Sequence, residues 1–402
     1  MSDLYRRYRE ALRGEPLPLA FVDLDALERN VDTLVAPVRS RGKTLRIASK
    51  SVRCAALLRA IAARGGDAVR GIMAYSPAEA AWLAGEEGFD DILVAYPTAQ
   101  PGDARLVAAA VERGASITLV ADAAEHLAVA SAAAAEAGVR LSVAVDVDVS
   151  YRPLGDRLHL GVRRSPLREP QAVAAFAERI GADPHLAFGG LLAYEAHLAG
   201  IPDRDSASPA LAGAKRALKA LAREPVREQR QAIVRELTRR GIHLPLFNGG
   251  GTGSVAWSAQ DPALSEVAAG SGFLDSHLFD GFDGLALVPA AFFALQVTRC
   301  PGPDLVTCQG GGFIASGTPG PDRLPVPYLP EGLKLLDLEG AGEVQTPLAV
   351  PAGLRLPLGS PVFFRHAKAG ELAEHFSTYA LVRGNGIEAQ VPTYRGAGQS
   401  FH

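Results

Sequence analysis

Lys50 is the residue whose type and position first suggest chemistry. It ends the segment TLRIASK at residues 44–50, whose apolar pattern predicts a short strand. An amine at the carboxyl end of a barrel strand lies at the barrel mouth, where it can form a Schiff base with an aldehyde. A lone lysine is more commonly a solvated surface residue, so this position needs support from elsewhere in the chain.

That support comes from a glycine-rich segment about 200 residues later, LPLFNGGGTGS at residues 244–254. Glycines after a strand expose backbone N–H groups that can bind a phosphate, and Thr252 and Ser254 add hydroxyls. A glycine run alone is more often a turn, because glycine adopts positive φ at little cost. An amine for an aldehyde and a turn for a phosphate together predict pyridoxal 5′-phosphate (PLP) as the cofactor.

Composition limits the class of protein. The 402 residues suffice for a barrel of about 250 residues and a second domain. The chain is 48% hydrophobic and 21% charged, as globular proteins are, and its net charge of −3 without like-charge runs argues against nucleic acid or membrane partners. Three cysteines without metal-type spacing, a charged N-terminus and no long apolar segment predict a soluble, cytoplasmic protein.

Apolar segments alternate with alanine-rich amphipathic ones from residue 19 onward. The pattern predicts strands at 20–24, 45–48, 71–75, 91–96, 116–120, 141–147, 189–194 and 244–248. It predicts helices at 25–38, 54–64, 77–87, 103–113, 123–137 and 169–180. Alternating strands and helices form parallel sheets, and this many units favour an α/β fold of the (β/α)8 TIM-barrel type.

The later part of the chain differs in texture. Residues 201–240 are charged and helical, which indicates an insertion enlarging one crossover helix. After about residue 270 proline and glycine become frequent, and strands are predicted at 292–299, 305–308, 332–337 and 377–383. We therefore expect a barrel at 17–270 and a C-terminal β-rich domain at 271–402, joined by residues 1–16.

The chain resembles fold-type III PLP enzymes in these features, and among them the D-threonine aldolase and D-serine dehydratase branch. The opening PLAFVDLDALERN at residues 18–30 is similar to that branch, as is the lysine that follows at position 50. The likeness covers residues 17–280, and the β-rich part only loosely.

The resemblance implies that Lys50 forms the Schiff base with PLP and that Tyr194 lies close to the cofactor. It implies further cofactor-binding residues in two segments, namely Asn248, Gly250, Gly251, Thr252, Gly253, Ser254, Ser271 and Gly272. Gly272 stands where the family has a tyrosine, so we expect a wider pocket.

Two further positions depart from the family pattern. Relatives carry an arginine at the position of His159, and that arginine contacts the phenolic oxygen of PLP. Either His159 takes this role, or Arg152 or Arg157 reaches in from the same loop; a histidine facing solvent is the simplest alternative.

The second departure concerns a divalent metal. Relatives bind it through a His-x-Asp or His-x-Cys pair, and here His366 is followed by Lys368. A protonated amine cannot be a ligand, but its charge can act on a substrate oxygen as a cation would. Glu371 and His375 are alternative metal ligands, and a plain surface loop is the alternative to both.

The resemblance implies a homodimeric lyase acting on small β-hydroxy-D-amino acids, as an aldolase or as a dehydratase. The alternatives are an amino-acid racemase, with Tyr328 or Tyr379 contributed by a partner subunit, and a PLP-binding protein without catalytic activity. The candidate catalytic residues are Lys50, His159, Tyr194, His197, His366 and Lys368.

Overall fold

A computed structural model describes residues 1–204 and 208–401 of the chain. Its strands, in chain order, are β1 Leu19–Asp23, β2 Thr44–Ala48, β3 Val69–Ala74, β4 Ile92–Val94, β5 Ile117–Ala121, β6 Leu141–Asp146, β7 Pro153–Asp156, β8 Leu186–Ala193, β9 Phe247–Gly249, β10 Glu266–Ala269, β11 Ala291–Gly302, β12 Leu305–Gln309, β13 Val326–Leu329, β14 Lys334–Leu335, β15 Gln345–Ala349, β16 Pro361–Arg365, β17 Thr378–Arg383 and β18 Gly386–Pro392.

The α-helices are α1 Asp3–Ala11, α2 Leu24–Arg39, α3 Ala55–Gly65, α4 Pro77–Gly85, α5 Pro101–Glu112, α6 Ala124–Ala137, α7 Pro170–Ala182, α8 Ala196–Ala199, α9 Pro209–Arg239, α10 Val255–Ser258 and α11 Ser271–Leu274. Most of the segment 201–240, which the sequence predicts to be a helical insertion, is the single helix α9. Residues 205–207 of that segment lie outside the described part of the chain. No described helix is long and apolar enough to cross a membrane.

Eight parallel strands close the predicted barrel, in the order β2-β3-β4-β5-β6-β8-β9-β10, with β10 pairing back onto β2. Their outward side chains pack against the surrounding helices. Inside the barrel, Arg46 pairs with Glu266 (Nε to Oε1, 2.6 Å) and with Asp91 (2.9 Å). Because all eight strands run in the same direction, their carboxyl ends meet at one mouth, and that mouth is where a (β/α)8 barrel carries its chemistry.

The first predicted strand does not belong to the barrel. β1 pairs antiparallel with β11 and parallel with β17, so it lies in the second sheet, and the eighth barrel strand is the unpredicted β10. A barrel strand and a strand of the second sheet can both be buried on two faces. β1 is buried because aromatic side chains of the second unit cover it, so its apolar sequence resembles that of a barrel strand. Lys50 therefore follows the first strand of the barrel along the chain, and not the second.

The second unit is a mainly antiparallel sheet in which β11 pairs with β1, β12 and β16. Helix α1 covers its outer face, where Tyr8 packs against Phe21, Phe292 and Phe363 with ring centroids 5.0–5.7 Å apart. The expected β-rich C-terminal domain is thus confirmed.

The C-terminal segment fastens this unit to the barrel. The Tyr394 hydroxyl donates to Glu79 Oε1 (2.9 Å), its ring packs edge-on against Trp82, and its amide donates to the Arg53 carbonyl (2.8 Å). Glu79 is fully buried, and burial raises its pKa to about 7 despite hydrogen bonds from Ser49, Tyr75 and Tyr394.

Candidate active site

Lys50 lies in a tight helical turn directly after β2, and its side chain is exposed at the barrel mouth. Its Nζ donates to the hydroxyl of Tyr96 at 2.9 Å. Tyr96 stands two residues after β4, at the same mouth. Lys43, by contrast, precedes β2 and donates to the Asp261 carbonyl at the other end of the strand. Lys50 is therefore the lysine placed to meet a ligand in the mouth.

Arg164 stands between two tyrosines beside Lys50. Its guanidinium carbon lies 5.2 Å from the ring centroid of Tyr96 and 5.6 Å from that of Tyr194, both within cation–π range. Tyr194 follows β8 and lines a small pocket with Arg164 and Asp146. Burial raises the pKa of Asp146 to about 7, although Arg164 opposes that shift.

Arg152 and His159 have other contacts, and Arg157 faces solvent. Arg152 pairs with Asp148 and Asp156, both at 2.6 Å. The His159 Nε2 lies 3.1 Å from the Val162 carbonyl. Of the loop cations considered, Arg164 is the one whose described contacts reach the residues around Lys50.

The glycine-rich turn is held from behind by a buried carboxylate, Glu195. Its Oε2 accepts from the Gly250 amide (2.9 Å), its Oε1 accepts from the Ser254 hydroxyl (3.0 Å), and it also binds Ser258 and Arg230. Burial alone would raise the pKa of Glu195. Arg230 and these hydrogen-bond donors have the larger and opposite effect, so the pKa lies below its ordinary value and the group stays ionised. Gly250 and Ser254 therefore anchor the turn, and their polar atoms are engaged within the protein.

Asn248 is likewise engaged inside the protein. It is fully buried, and its Nδ2 donates to Glu266 Oε1 at 2.6 Å, inside the barrel. The sequence places Asn248 among the cofactor-binding residues, whereas its described contact supports the strands beneath the mouth.

The donors left for a phosphate lie at the front of the turn. The amides of Thr252 and Gly253 precede the first bond of a short helical turn, which Ser254 donates to the Gly251 carbonyl. Ser271 Oγ lies 3.1 Å from the Oγ of Ser51, the residue that follows Lys50 in the sequence. A Cβ at Gly270 would sit 2.8 Å from that Ser51 hydroxyl, so glycine is what lets β2 and β10 bring the hydroxyls together. Amides and hydroxyls that follow β9 and β10, at the same barrel mouth as the Lys50 amine, fit a phosphorylated aldehyde.

Gly272 does not widen the pocket. A Cβ at this position would lie 2.6 Å from Thr252 Cγ2 and 3.1 Å from Leu34 and Leu287 side chains. The position faces packed side chains, so the expected wider pocket is wrong. The Gly272 amide donates to Thr252 Oγ1 (3.0 Å) and fixes the orientation of that residue.

The expected metal residues do not form a cluster. His366 is buried, and burial lowers its pKa to about 3. The Lys368 Nζ is exposed and donates to Ser316 Oγ at 2.9 Å, while Glu371 accepts from the Ser316 amide at 3.0 Å. His375 packs on the Phe313 ring. Within residues 1–204 and 208–401 no group of three His, Cys, Asp or Glu side chains is placed to hold a metal.

This loop of the second unit nevertheless lies against the lysine segment. A Cβ at Gly370, two residues after Lys368, would overlap the Lys50 carbonyl, and Arg53 pairs with Glu374 at 2.6 Å.

His197, another candidate base, is buried, and burial lowers its pKa to about 4. Its ring nitrogens have no hydrogen-bond partner among the described residues.

Sequence reasoning missed Tyr96, Arg164, Asp146 and the role of Glu195. Tyr96 and Asp146 carried a usable signal, since each stands at the carboxyl end of a predicted barrel strand. Arg164 lies in an irregular loop, where no local pattern marks its direction.

The alanine racemase N-terminal domain family matches residues 22–273, which is more than half of the chain. The chain belongs to this family. It is a family of PLP-dependent enzymes, so the predicted resemblance to fold-type III enzymes is confirmed.

Similar proteins include two aldolases. A 3-hydroxy-D-aspartate aldolase of Paracoccus denitrificans (strain Pd 1222) is 27% identical over 264 residues, 64% of this chain and 60% of the relative. This chain thus spans about 60% of that relative's length. A D-threonine aldolase of Arthrobacter sp is 27% identical over 319 residues, 77% of each chain.

Solved structures share the fold. The D-threonine aldolase from Filomicrobium marinum superimposes with a TM-score of 0.79 at 19% identity, over 95% of both chains. The D-threo-3-hydroxyaspartate dehydratase from Delftia sp. HT23 has a TM-score of 0.73 at 20% identity, over 95% of this chain and 98% of the other. The barrel and the β-rich unit occur together in these structures.

Proposed function

We propose that the protein is a PLP-dependent lyase that acts on small β-hydroxy-D-amino acids, by aldol cleavage or by dehydration. The observation that carries this proposal is the amine of Lys50, exposed at the barrel mouth and 2.9 Å from the Tyr96 hydroxyl, while the next residue, Ser51, contacts the Ser271 hydroxyl. Family membership and the names of the two curated relatives support the reaction class.

Each residue around the mouth has a role in this proposal. Lys50 holds the aldehyde carbon, while the amides of Thr252 and Gly253 and the hydroxyl of Ser271 hold the phosphate. Arg164 takes the place of the family arginine at the phenolic oxygen, and Tyr194 lies beside the ring. When bound, PLP withdraws electrons from the bond being broken, and the protein selects that bond by orienting it.

Lys368 stands where relatives have an anionic metal ligand. We propose that its ammonium acts on a substrate oxygen in place of a divalent cation, because it is exposed on the loop that packs against the Lys50 segment. His366 is buried beside it and is a poor ligand without a second donor.

The structure favours this function over racemisation. Tyr379, one candidate for a second base from a partner subunit, is fully buried, and Tyr328 stacks on Phe292 with centroids 5.6 Å apart.

A homodimer remains part of the proposal, since large apolar side chains are exposed in the second unit and in the segment after β6, among them Leu154, Ile314, Leu338 and Val344. The three cysteines are free, which supports a reducing cytoplasm.

Borohydride reduction of the PLP-loaded protein followed by peptide mapping tests the anchor. We expect the label on Lys50 and none on Lys43; a label elsewhere contradicts the assignment. Incubation with D-threonine and with 3-hydroxy-D-aspartate then separates the reactions, because cleavage releases an aldehyde and glycine while dehydration releases ammonia.

A labelled Lys50 with neither product indicates a PLP-binding protein without catalytic activity. The mass in solution tests the dimer, which should be twice the 42.1 kDa of one chain.

A further inference from the structure

Tyr96 faces two cations at the barrel mouth. Lys50 Nζ lies 2.9 Å from its hydroxyl oxygen, and the Arg164 guanidinium lies over its ring. Two further titratable groups belong to this surrounding, Tyr194 across the guanidinium and Asp146 beside it. Burial raises the pKa of Asp146 to about 7, so at neutral pH it only partly offsets the two positive charges.

The charges make Tyr96 unlike most tyrosines of the chain. Partial burial raises the pKa of Tyr96, but Lys50 and Arg164 outweigh burial and bring that pKa below its ordinary value. Burial raises the pKa of seven other tyrosines, namely Tyr5, Tyr8, Tyr75, Tyr194, Tyr328, Tyr379 and Tyr394. Tyr96 is therefore the phenol of this set that ionises first.

The other candidate bases are less suited. His197 and His366 are buried, and burial holds the Tyr194 phenol protonated, with a pKa raised to about 12. The Lys368 amine is already engaged as a donor to Ser316 Oγ at 2.9 Å. Tyr96 is half-buried at the mouth, where its oxygen already contacts the amine that binds the ligand.

We propose that Tyr96 is a catalytic residue that takes the proton of the substrate β-hydroxyl, because its oxygen lies 2.9 Å from the Lys50 amine and the Arg164 guanidinium lies over its ring. This inference rests on the proposed lyase function and narrows it to aldol cleavage, because dehydration needs an acid at that oxygen.

The step balances without a further reactant. The proton moves from the β-hydroxyl to the Tyr96 oxygen, the carbon–oxygen bond becomes a carbonyl, and the Cα–Cβ bond breaks with its electron pair remaining on Cα. The aldehyde leaves. The Lys50 ammonium delivers a proton to Cα, which completes the glycine product, and the proton on Tyr96 replaces it across the 2.9 Å contact.

A titration of the protein without cofactor tests the first half of the inference. Phenolate absorbance near 295 nm should show an early ionisation step in the wild type that Tyr96→Phe removes and Arg164→Met moves to higher pH. Tyr328→Phe is the matched control and should leave that step unchanged. Superimposable early steps in wild type and Tyr96→Phe overturn the inference.

Kinetics test the second half. Tyr96→Phe should lower kcat for aldehyde release by roughly 100-fold or more, as loss of a general base does, with KM little changed and the borohydride label still on Lys50. Tyr328→Phe should retain the wild-type rate. The circular dichroism spectrum of each variant shows whether it is folded, and Arg164→Met provides a second folded test in which the rate–pH profile shifts upward with the phenol.

The outcomes separate the two proposals. Normal aldehyde release by wild type and by Tyr96→Phe overturns the role of Tyr96 and leaves the lyase function standing. A wild type that labels on Lys50 but releases neither aldehyde nor ammonia from either amino acid overturns both, and one that releases ammonia alone overturns only the role of Tyr96.

Discussion

Glu195 is the residue through which the glycine-rich turn can be tested most directly. It is fully buried, and it binds the Gly250 amide, two serine hydroxyls and the Arg230 guanidinium. The substitution Glu195→Gln keeps the shape of the side chain but removes its charge, and one of its oxygens becomes a donor that faces other donors.

The expected cost follows from these contacts. Removing one partner of a buried ion pair typically costs about 3–5 kcal/mol, because the other charge is left without compensation. Arg230 retains a second partner, Asp261, at 3.0 Å, so the lower end of this range applies. We expect the free energy of unfolding to fall by about 3 kcal/mol. The turn also loses its anchor. We therefore expect PLP to bind about tenfold more weakly, which corresponds to a loss of about 1.4 kcal/mol in binding free energy.

Urea unfolding of the cofactor-free protein and PLP titration followed by absorbance measure the two effects. The matched control is Glu224→Gln, since Glu224 is exposed on α9 and pairs with Arg227 at 3.3 Å, a surface contact that contributes little to stability. It should give wild-type values in both assays. If Glu195→Gln unfolds and binds PLP as Glu224→Gln does, the carboxylate does not hold the turn.

Three further predictions follow from the structure. Gly253→Ala places a Cβ 2.3 Å from the Ala199 carbonyl, so it should weaken PLP binding before the fold is lost, and unchanged affinity in a folded variant would place the phosphate elsewhere. Glu79 has a pKa raised from 4.5 to about 7, so the folded state binds its proton more tightly and stability from this group is lost as pH rises from about 4.5 to about 7, by about 3 kcal/mol in full. Glu79→Gln should remove that decline when unfolding is measured across this range, and equal slopes in both proteins would contradict it. Wild-type activity should survive chelation, Lys368→Met should slow the reaction without weakening PLP binding, and Lys368→Asp should make the rate depend on added divalent metal through His366; loss of wild-type activity on chelation contradicts the proposed role of the ammonium.

The barrel could be predicted because each unit repeats one pattern. Six predicted strands from 45–48 to 189–194 and the helices between them lie within a few residues of the observed elements. β10, in contrast, has the sequence EVAA, whose small residues and inward Glu266 give no strand signal. β1 has that signal, but its pattern cannot say which sheet will receive the strand.

The site was predictable where local sequence determines position. Lys50 follows a predicted strand, and the glycines mark a turn because glycine adopts positive φ at little cost. The partner of Lys50 was not predictable, because Tyr96 is 46 residues away and the barrel curvature brings the two together. The engagement of Gly250 and Ser254 with Glu195 was hidden for the same reason, since a sequence motif does not reveal which side of a turn its donors face.

The junction between the two units has a mechanical consequence. Asp23 is both the last residue of β1 and the N-cap of α2, accepting from the amides of Asp25 and Ala26, so the sheet passes into a barrel helix without an intervening loop. The return crossing is fastened by Asn30, which binds the carbonyls of Phe273 and Val288. Hinged rotation needs residues free to change φ and ψ, and the crossing at Asp23 supplies none. We therefore expect structures with and without a bound amino acid to superimpose as one rigid body outside the loops at the barrel mouth.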